Sequence, residues 1–335
     1  MKYSILAAAI LLALCLQGCA PQVQPETTAA PTVAPTTAPR ETTEPTTEPT
    51  EPPTGWLEIN GMRYYRFPDG THAIGWFEDE GKTYYIAPNG FMHTGWLELE
   101  GKTYYFKEDG EMAVGEIQID GTNYHFTASG ARVILVNPWN TVPEDYDPVL
   151  VEIPSGLATQ GVLVSEECYD ALIAMLEACN ADTPRAVVVS GHRTHAYQER
   201  LYKNKVSRVQ AEGYSYEQAL VEAAKVVAIP GTSEHQLGLA VDIVDSRSYS
   251  LTDYQATLPA QKWLMEHCWE YGFILRYPEN KSHITGIIYE PWHFRYVGVE
   301  LAMELKDSGL CLEEYLDQLT NDGSTCGNPD ALNSN

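Results

Sequence analysis

The sequence predicts an α+β domain preceded by a solenoid of short β-hairpins. From Gly55 a unit of about twenty residues recurs four times, and a fixed period this short marks units that bury their faces against their neighbours. After Ile134 the chain alternates amphipathic helices with short apolar strands. Within that second region, the stretches Ser233 to Asp242 and Glu290 to His293 concentrate histidine and carboxylate residues in the pattern of a metal site.

At 335 residues the chain has room for about two domains. Its formal charge of -25 excludes nucleic acid and anionic membrane surfaces as partners, because both are bound through basic patches. Residues 1–19 read as a secretion signal: Lys2 is followed by the apolar run Ile5 to Leu16, shorter than the ~20 residues that span a bilayer. The run ends in Leu16-Gln17-Gly18-Cys19, which resembles a lipoprotein box and implies that Cys19 is lipidated, although Gln17 stands where such boxes carry a small residue. An ordinary signal peptide is the alternative, and either reading exports the protein. Residues 20–54 are dominated by Pro, Thr and Glu. With almost nothing to bury, they form an extended linker whose reach is on the order of 100 Å.

The repeats occupy residues 55–133. Each opens on Gly-Trp and carries a tyrosine pair, as in G-W-F-E-D-E-G-K-T-Y-Y-I from Gly75; in the fourth copy Glu116 replaces the tryptophan and Tyr124-His125 the tyrosine pair. The aromatic runs and the dipeptides Asp69-Gly70, Asn89-Gly90 and Asp109-Gly110 predict β-hairpins turning at those dipeptides. Adjacent residues on a strand face opposite ways, so one tyrosine of each pair enters the solenoid and the other lines a groove beside the tryptophan. Such grooves can hold a quaternary ammonium by cation–π attraction. The unit resembles the choline-binding and cell-wall-binding repeats of Gram-positive surface proteins. That resemblance implies Trp56, Tyr65, Trp76, Tyr85, Trp96 and Tyr105 as the ligand-facing aromatics and a wall polymer, choline-bearing or glycan, as partner. Arg63, Thr83 and Thr103 stand where the choline repeats usually have a further tryptophan.

Residues 134–320 form the α+β domain, with 321–335 a flexible tail. Ser165 caps a helix with Glu166 and Glu167 in its first turn. Ala186 to Val189 is a strand, helical periodicity covers Tyr197 to Val209 and Tyr216 to Ala228, and Pro230-Gly231 breaks the chain. Trp263 to Tyr271 predicts a helix, Phe273 to Leu275 a strand, and helices near Glu300 and Leu312 close the domain.

In Leu237 to Val244, Leu239, Val241 and Ile243 alternate with Gly238, Ala240 and Asp242. One face of this strand is therefore bulky and buried, while the other is small except for Asp242, with His235 on the preceding turn. A buried aspartate is costly unless paired or coordinating. Pro291 holds Glu290 extended, so a bend there must bring Glu290 and His293 to one side. Two histidines, one aspartate and a free glutamate are the inventory of a hydrolytic zinc site.

The blocks S-G-H-R-T-H-A-Y-Q (from Ser190), S-E-H-Q-L-G-L-A-V-D and E-P-W-H-F-R-Y-V-G together resemble the VanY-type D-alanyl-D-alanine carboxypeptidases, zinc peptidases with a hedgehog-like fold. The resemblance implies one zinc ion on His235, Asp242 and His293, Glu290 as catalytic base, and Arg193 and Gln198 in contact with substrate. Ser233 is a further candidate for substrate binding. The expected activity is removal of the terminal D-alanine from peptidoglycan stem peptides by a lipid-anchored, wall-associated enzyme at the outer face of the cytoplasmic membrane. An L,D-carboxypeptidase acting on tetrapeptide stems and a non-catalytic wall-binding surface protein are the alternatives. Cys168 and Cys179 lie eleven residues apart on one predicted helix, ~16 Å, too far to bridge, whereas Cys311 and Cys326 could pair.

Overall fold

The computed structural model describes residues 53–144, 146–320 and 326–327. The expected signal segment with Cys19, and all but the last two residues of the expected linker, lie outside the described residues. Four antiparallel hairpins open the structure: β1 (Gly55–Ile59) with β2 (Met62–Arg66), β3 (Gly75–Asp79) with β4 (Lys82–Ile86), β5 (Gly95–Leu99) with β6 (Lys102–Phe106), and β7 (Gly115–Ile119) with β8 (Thr122–Phe126). The short β9 (Arg132–Val133) pairs with β8.

The turn within each hairpin is not where the sequence predicted it. It is the two-residue link Asn60-Gly61, with φ of 52° and 79°, and its equivalents Glu80-Gly81, Glu100-Gly101 and Asp120-Gly121. Positive φ at both positions matches the right-handed twist of the flanking strands. Asp69-Gly70 and its equivalents instead turn the chain between hairpins, where the Asp69 carboxylate accepts from Thr71 N–H at 2.9 Å. Ile86, Phe106 and Phe126 are fully buried between units. Met92 N–H donates to Arg63 O and Met112 N–H to Thr83 O, joining one repeat to the next through the backbone.

The second region is built on a four-stranded antiparallel sheet in the order Ala186–Ser190, Ala240–Asp245, His293–Tyr296, Phe273–Leu275. A two-stranded sheet, β10 (Leu150–Glu152) with β11 (Leu163–Ser165), leads into α1 (Glu166–Asp182), whose N-cap Ser165 accepts from Glu167 N–H. Then come β12 (Ala186–Ser190), α2 (His195–Ala211), α3 (Tyr216–Ala224), β13 (Ala240–Asp245), α4 (Pro259–His267), β14 (Phe273–Leu275), α5 (Ser282–Thr285), β15 (His293–Tyr296), α6 (Val299–Ser308) and α7 (Leu312–Leu319). One face of the sheet packs on α1 and α4 through Leu172, Leu176, Val188, Val241, Ile243, Leu264 and Phe294.

Helix α4 starts four residues before the predicted position. Pro259 occupies its first turn, where the missing N–H costs nothing. A 3-10 turn, Cys268–Tyr271, follows it and ends at Gly272 with φ 78°. Helix α3 stops at Ala224 rather than Ala228.

The fourth hairpin docks on the C-terminal helices. Val133 and Leu135 join Leu301, Leu305, Leu312 and Leu316 in one apolar cluster. Glu116 N–H donates to Thr320 Oγ1 at 3.1 Å, and Ala128 N–H to the Tyr315 hydroxyl at 3.1 Å. Gly115 has φ 71°, and a Cβ there would lie 2.4 Å from Leu319 O, so only glycine admits this approach. Cys311 and Cys326 are separate buried thiols, not a disulfide. Cys326 O accepts from Asn137 Nδ2 at 2.8 Å, which holds Cys326 against the domain.

Candidate active site

Sheet register builds the site. Asp242 of β13 lies opposite His293 of β15, so their side chains emerge side by side from the sheet face turned away from α1 and α4. His235 arrives from the 3-10 turn Glu234–Leu237, closed by Gly238 in the left-handed region at φ 71°. Its Nδ1 is 2.8 Å from Gly191 O, which fixes Nδ1 as the protonated nitrogen and turns Nε2 toward Asp242 Oδ2, 3.3 Å away. Gly191 must be glycine: a Cβ there would meet Leu163 O at 2.2 Å.

His293 Nδ1 lies 3.1 Å from Asp242 Oδ1, and the two imidazole rings meet at 4.8 Å and 90°. One donor atom each from His235, Asp242 and His293 fall within 4.8 Å of one another, and all three residues are buried. Two imidazoles and a carboxylate around one point fit a zinc ion with a coordination position left for water or substrate.

Glu290 comes to the same side by the expected bend. His293 N–H donates to Glu290 O at 3.1 Å, closing a turn over Pro291-Trp292 just before β15. The Pro291 carbonyl accepts from Gln261 of α4, and the Trp292 carbonyl from Ile243 N–H at 2.9 Å. The turn leaves Glu290 Oε2 3.8 Å from His293 Nδ1. Burial, helped by the Asp242 carboxylate, pushes Glu290 up to about 8, into the range of a general base at neutral pH.

Arg193 sits between β12 and the Thr194 cap of α2. Its guanidinium donates to Asp242 Oδ2 at 2.6 Å and to Ser190 Oγ at 3.0 Å. Burial would raise Asp242, but His235 and Arg193 hold it well below the usual carboxylate range. Burial, with Arg193 adding to it, pushes His235 down to about 4, the neutral form a ligand requires. Burial would lower His293 as well, yet the Asp242, Glu234 and Glu290 carboxylates raise it to about 9, so a bound cation there displaces a proton.

These groups line a pocket of about 770 Å³ together with Ser233, Tyr277 and Trp292; Lys205 and Arg208 of α2 form its far wall. Gln198 is not on that wall. It is fully buried behind Arg193, its Nε2 donating to Ala228 O at 2.7 Å and its Oε1 accepting from Arg193 at 3.5 Å, so it supports the guanidinium.

Sequence reasoning missed Glu234. Its Oε1 accepts from Arg276 Nε at 2.8 Å and Arg295 NH1 at 3.0 Å, and Arg276 bonds Glu313 at 2.6 and 2.9 Å. Its Oε2 faces His293 Nε2 at 3.7 Å, and among the described residues neither atom has a hydrogen-bond partner. A buried carboxylate beside the outer nitrogen of a ligating histidine orients the ring and raises its basicity. The available signal was the position of Glu234 next to His235.

In the solenoid, the six expected aromatics do meet in pairs: Trp56 with Tyr65, Trp76 with Tyr85 and Trp96 with Tyr105, at 5.4, 5.4 and 5.0 Å between ring centroids. Each tryptophan also touches the first tyrosine of the following repeat, Tyr84, Tyr104 and Tyr124 respectively, at 4.8–4.9 Å. Every aromatic cluster is thus shared by two consecutive repeats. Arg63 stacks over Trp56 at 4.7 Å, and Arg132 over Tyr124 at 4.9 Å and Trp96 at 5.9 Å.

Both regions of the chain resemble known proteins. The family described as D-alanyl-D-alanine carboxypeptidase (VanY) matches residues 161–299. A choline-binding repeat matches residues 93–136, and a putative cell wall binding repeat residues 54–71 and 74–92. A D-alanyl-D-alanine carboxypeptidase of Enterococcus faecalis is 42% identical over 184 residues, covering 55% of this chain and 65% of that protein. The putative carboxypeptidase YodJ of Bacillus subtilis is 36% identical over 191 residues, covering 55% and 67%. The chain therefore spans about two thirds of the length of these curated relatives. A solved structure of VanYB in complex with D-alanine-D-alanine aligns with a TM-score of 0.50 at 42% identity, covering 56% of this chain and 98% of that one. By these matches the chain belongs to the VanY family of D-alanyl-D-alanine carboxypeptidases.

Proposed function

We propose that the protein is a zinc-dependent carboxypeptidase that removes the terminal D-alanine from peptidoglycan stem peptides at the cell surface. The observation that carries this reading is the convergence of His235, Asp242 and His293 donors within 4.8 Å, with the Glu290 carboxylate 3.8 Å from His293 at the pocket floor. His235 Nε2, an Asp242 oxygen and His293 Nδ1 would hold the ion. When bound, zinc supplies Lewis-acid polarisation of the scissile carbonyl and lowers the pKa of water to about 7. Glu290 takes the proton of the attacking water and returns it to the leaving amine. Arg193 offers a permanently charged planar fork to the substrate's anionic oxygens, whether its terminal carboxylate or the developing oxyanion. Glu234 keeps the His293 ring oriented. Ser233, on the pocket wall, is a hydrogen-bonding partner for the peptide.

The repeats hold the enzyme on its substrate. The Trp56 and Trp96 clusters each carry a stacked arginine, whereas among the described residues no cation stacks on Trp76, which is 45% exposed beside Tyr85 and Tyr104. That cluster is the open position for a wall-polymer ligand such as a choline group. Lipidation of Cys19, placing the protein on the outer face of a Gram-positive membrane, completes the proposal and rests on the sequence alone.

The test is digestion of purified muropeptides carrying penta- and tetrapeptide stems, with and without chelator. Chelator-sensitive release of one D-alanine from pentapeptide supports the reading. Cleavage of tetrapeptide alone makes it an L,D-carboxypeptidase, and unaltered stems of both lengths leave a wall-binding protein without this activity.

A further inference from the structure

The fourth repeat breaks the aromatic pattern in a chemically directed way. In the first three repeats the cross-strand pairs are Trp56 with Tyr65, Trp76 with Tyr85 and Trp96 with Tyr105. At the same register the fourth pairs Glu116 with His125. Both replacements are metal-ligand types, and they face a third: the buried thiol of Cys326, which follows α7 in the chain.

We infer that Glu116, His125 and Cys326 form a second metal site, specific for a transition-metal dication and best suited to zinc, that fastens the last hairpin to the C-terminal segment. Donor atoms of the three residues lie within 4.8 Å of one another. His125 Nε2 is 3.0 Å and Cys326 Sγ 3.6 Å from the same Glu116 oxygen, Oε2. Zinc bond lengths of about 2.3 Å to sulfur and about 2.0–2.2 Å to nitrogen and oxygen put tetrahedral ligand atoms about 3.4–3.6 Å apart. The Cys326–Glu116 separation already matches that spacing, and the His125–Glu116 separation would open by about 0.4 Å to admit an ion.

The donor set selects the metal. Thiolate and imidazole favour zinc over magnesium or calcium, which prefer all-oxygen shells. A fourth position falls to water or to Asp317, whose Oδ1 already accepts from Cys326 N–H. Burial, with the Asp317 and Glu116 carboxylates beside it, pushes the Cys326 thiol well above its ordinary value. Metal entry thus releases the Cys326 proton, and His125 Nε2 would give its lone pair to the ion.

The catalytic cluster contains no sulfur, which makes the two sites spectroscopically separable. The full chain is stripped with chelator and titrated with cobalt(II), then with zinc. We expect two equivalents to bind, and a thiolate-to-cobalt charge-transfer band to accompany one of them. Cys326→Ser should abolish the band and reduce the stoichiometry to one, while Cys311→Ser, at the cap of α7, should leave both unchanged. Glu116→Gln should weaken the second equivalent by at least tenfold, a readout that survives if the serine variant folds poorly, as monitored by its melting curve. A wild-type stoichiometry of one without the band, or a band that persists in folded Cys326→Ser, overturns the assignment. None of these readouts depends on carboxypeptidase activity.

Discussion

The solenoid and the catalytic domain assemble their functional groups by opposite routes. Each aromatic cluster in the solenoid draws on two neighbouring repeats, so Trp76 finds Tyr85 nine residues away and Tyr104 twenty-eight away. The proposed catalytic cluster gathers Arg193, His235, Asp242, Glu290 and His293 from two strands, the link between β12 and α2, a 3-10 turn and a proline bend. Local assembly tolerates change in one unit, as the fourth repeat demonstrates. Distributed assembly makes every supporting contact count, because a shift of one strand moves one ligand relative to all the others.

The sharpest break of that comparison is Glu290→Gln. The amide keeps the size and the turn but cannot take a proton, so D-alanine release should fall by about 10²–10⁴-fold with zinc content unchanged. Zinc lost along with activity would instead make Glu290 part of the metal shell. Next comes Glu234→Gln. It removes the charge opposite Arg276 and Arg295 and turns an amide toward His293 Nε2. Zinc affinity should drop about 10–100-fold. Loss of a buried ionic partner should also cost about 3 kcal/mol of stability, with Glu313 still neutralising Arg276. Competition with a calibrated chelator and urea melts measure the two effects.

How much was legible in the sequence follows the same division. The repeat period and the aromatic register could be read directly, because each unit carries its own signal. The hairpin turn was misplaced since two Gly-containing dipeptides compete in each unit, and only pairing shows that the one after Asn60 closes the strands. In the catalytic domain the motifs supplied the three proposed ligands, whose donor atoms the fold brings within 4.8 Å, and Pro291 foretold the bend. The Glu313–Arg276–Glu234–Arg295 network was invisible, because buried salt bridges between residues 37, 42 and 61 positions apart leave no periodic trace. Gln198 looked like a pocket residue from its place in the motif, yet the inward face of α2 buries it.

Proton competition gives the next effect. His293 is raised to about 9 in the metal-free protein, so its protonated form stabilises the fold below about pH 6.5, and that contribution is lost as pH rises through 9. Glu290, raised to about 8, has the same sign: its neutral form is favoured, and stability falls as pH climbs from its unfolded value near 4.5 through 8. Zinc binding needs His293 deprotonated, so apparent affinity should rise by up to about tenfold per pH unit across that window. A flat profile between pH 6.5 and 9 would mean that His293 is already neutral in the metal-free protein.

The smallest effect tests the solenoid. Trp76→Ala removes the ring between Tyr85 and Tyr104 without touching the catalytic domain. A cation–π contact contributes about 0.5–2 kcal/mol, so retention on choline-bearing walls should weaken by roughly 2- to 30-fold while hydrolysis of soluble muropeptides stays unchanged. The same change at Trp56 or Trp96 should do less, because Arg63 and Arg132 already stack on those clusters. Arg63→Ala should then work in the opposite direction, uncovering the Trp56 ring and strengthening retention. Equal losses at all three tryptophans, with no gain from Arg63→Ala, would mean that the arginines give way to ligand and that the repeats bind as equivalents.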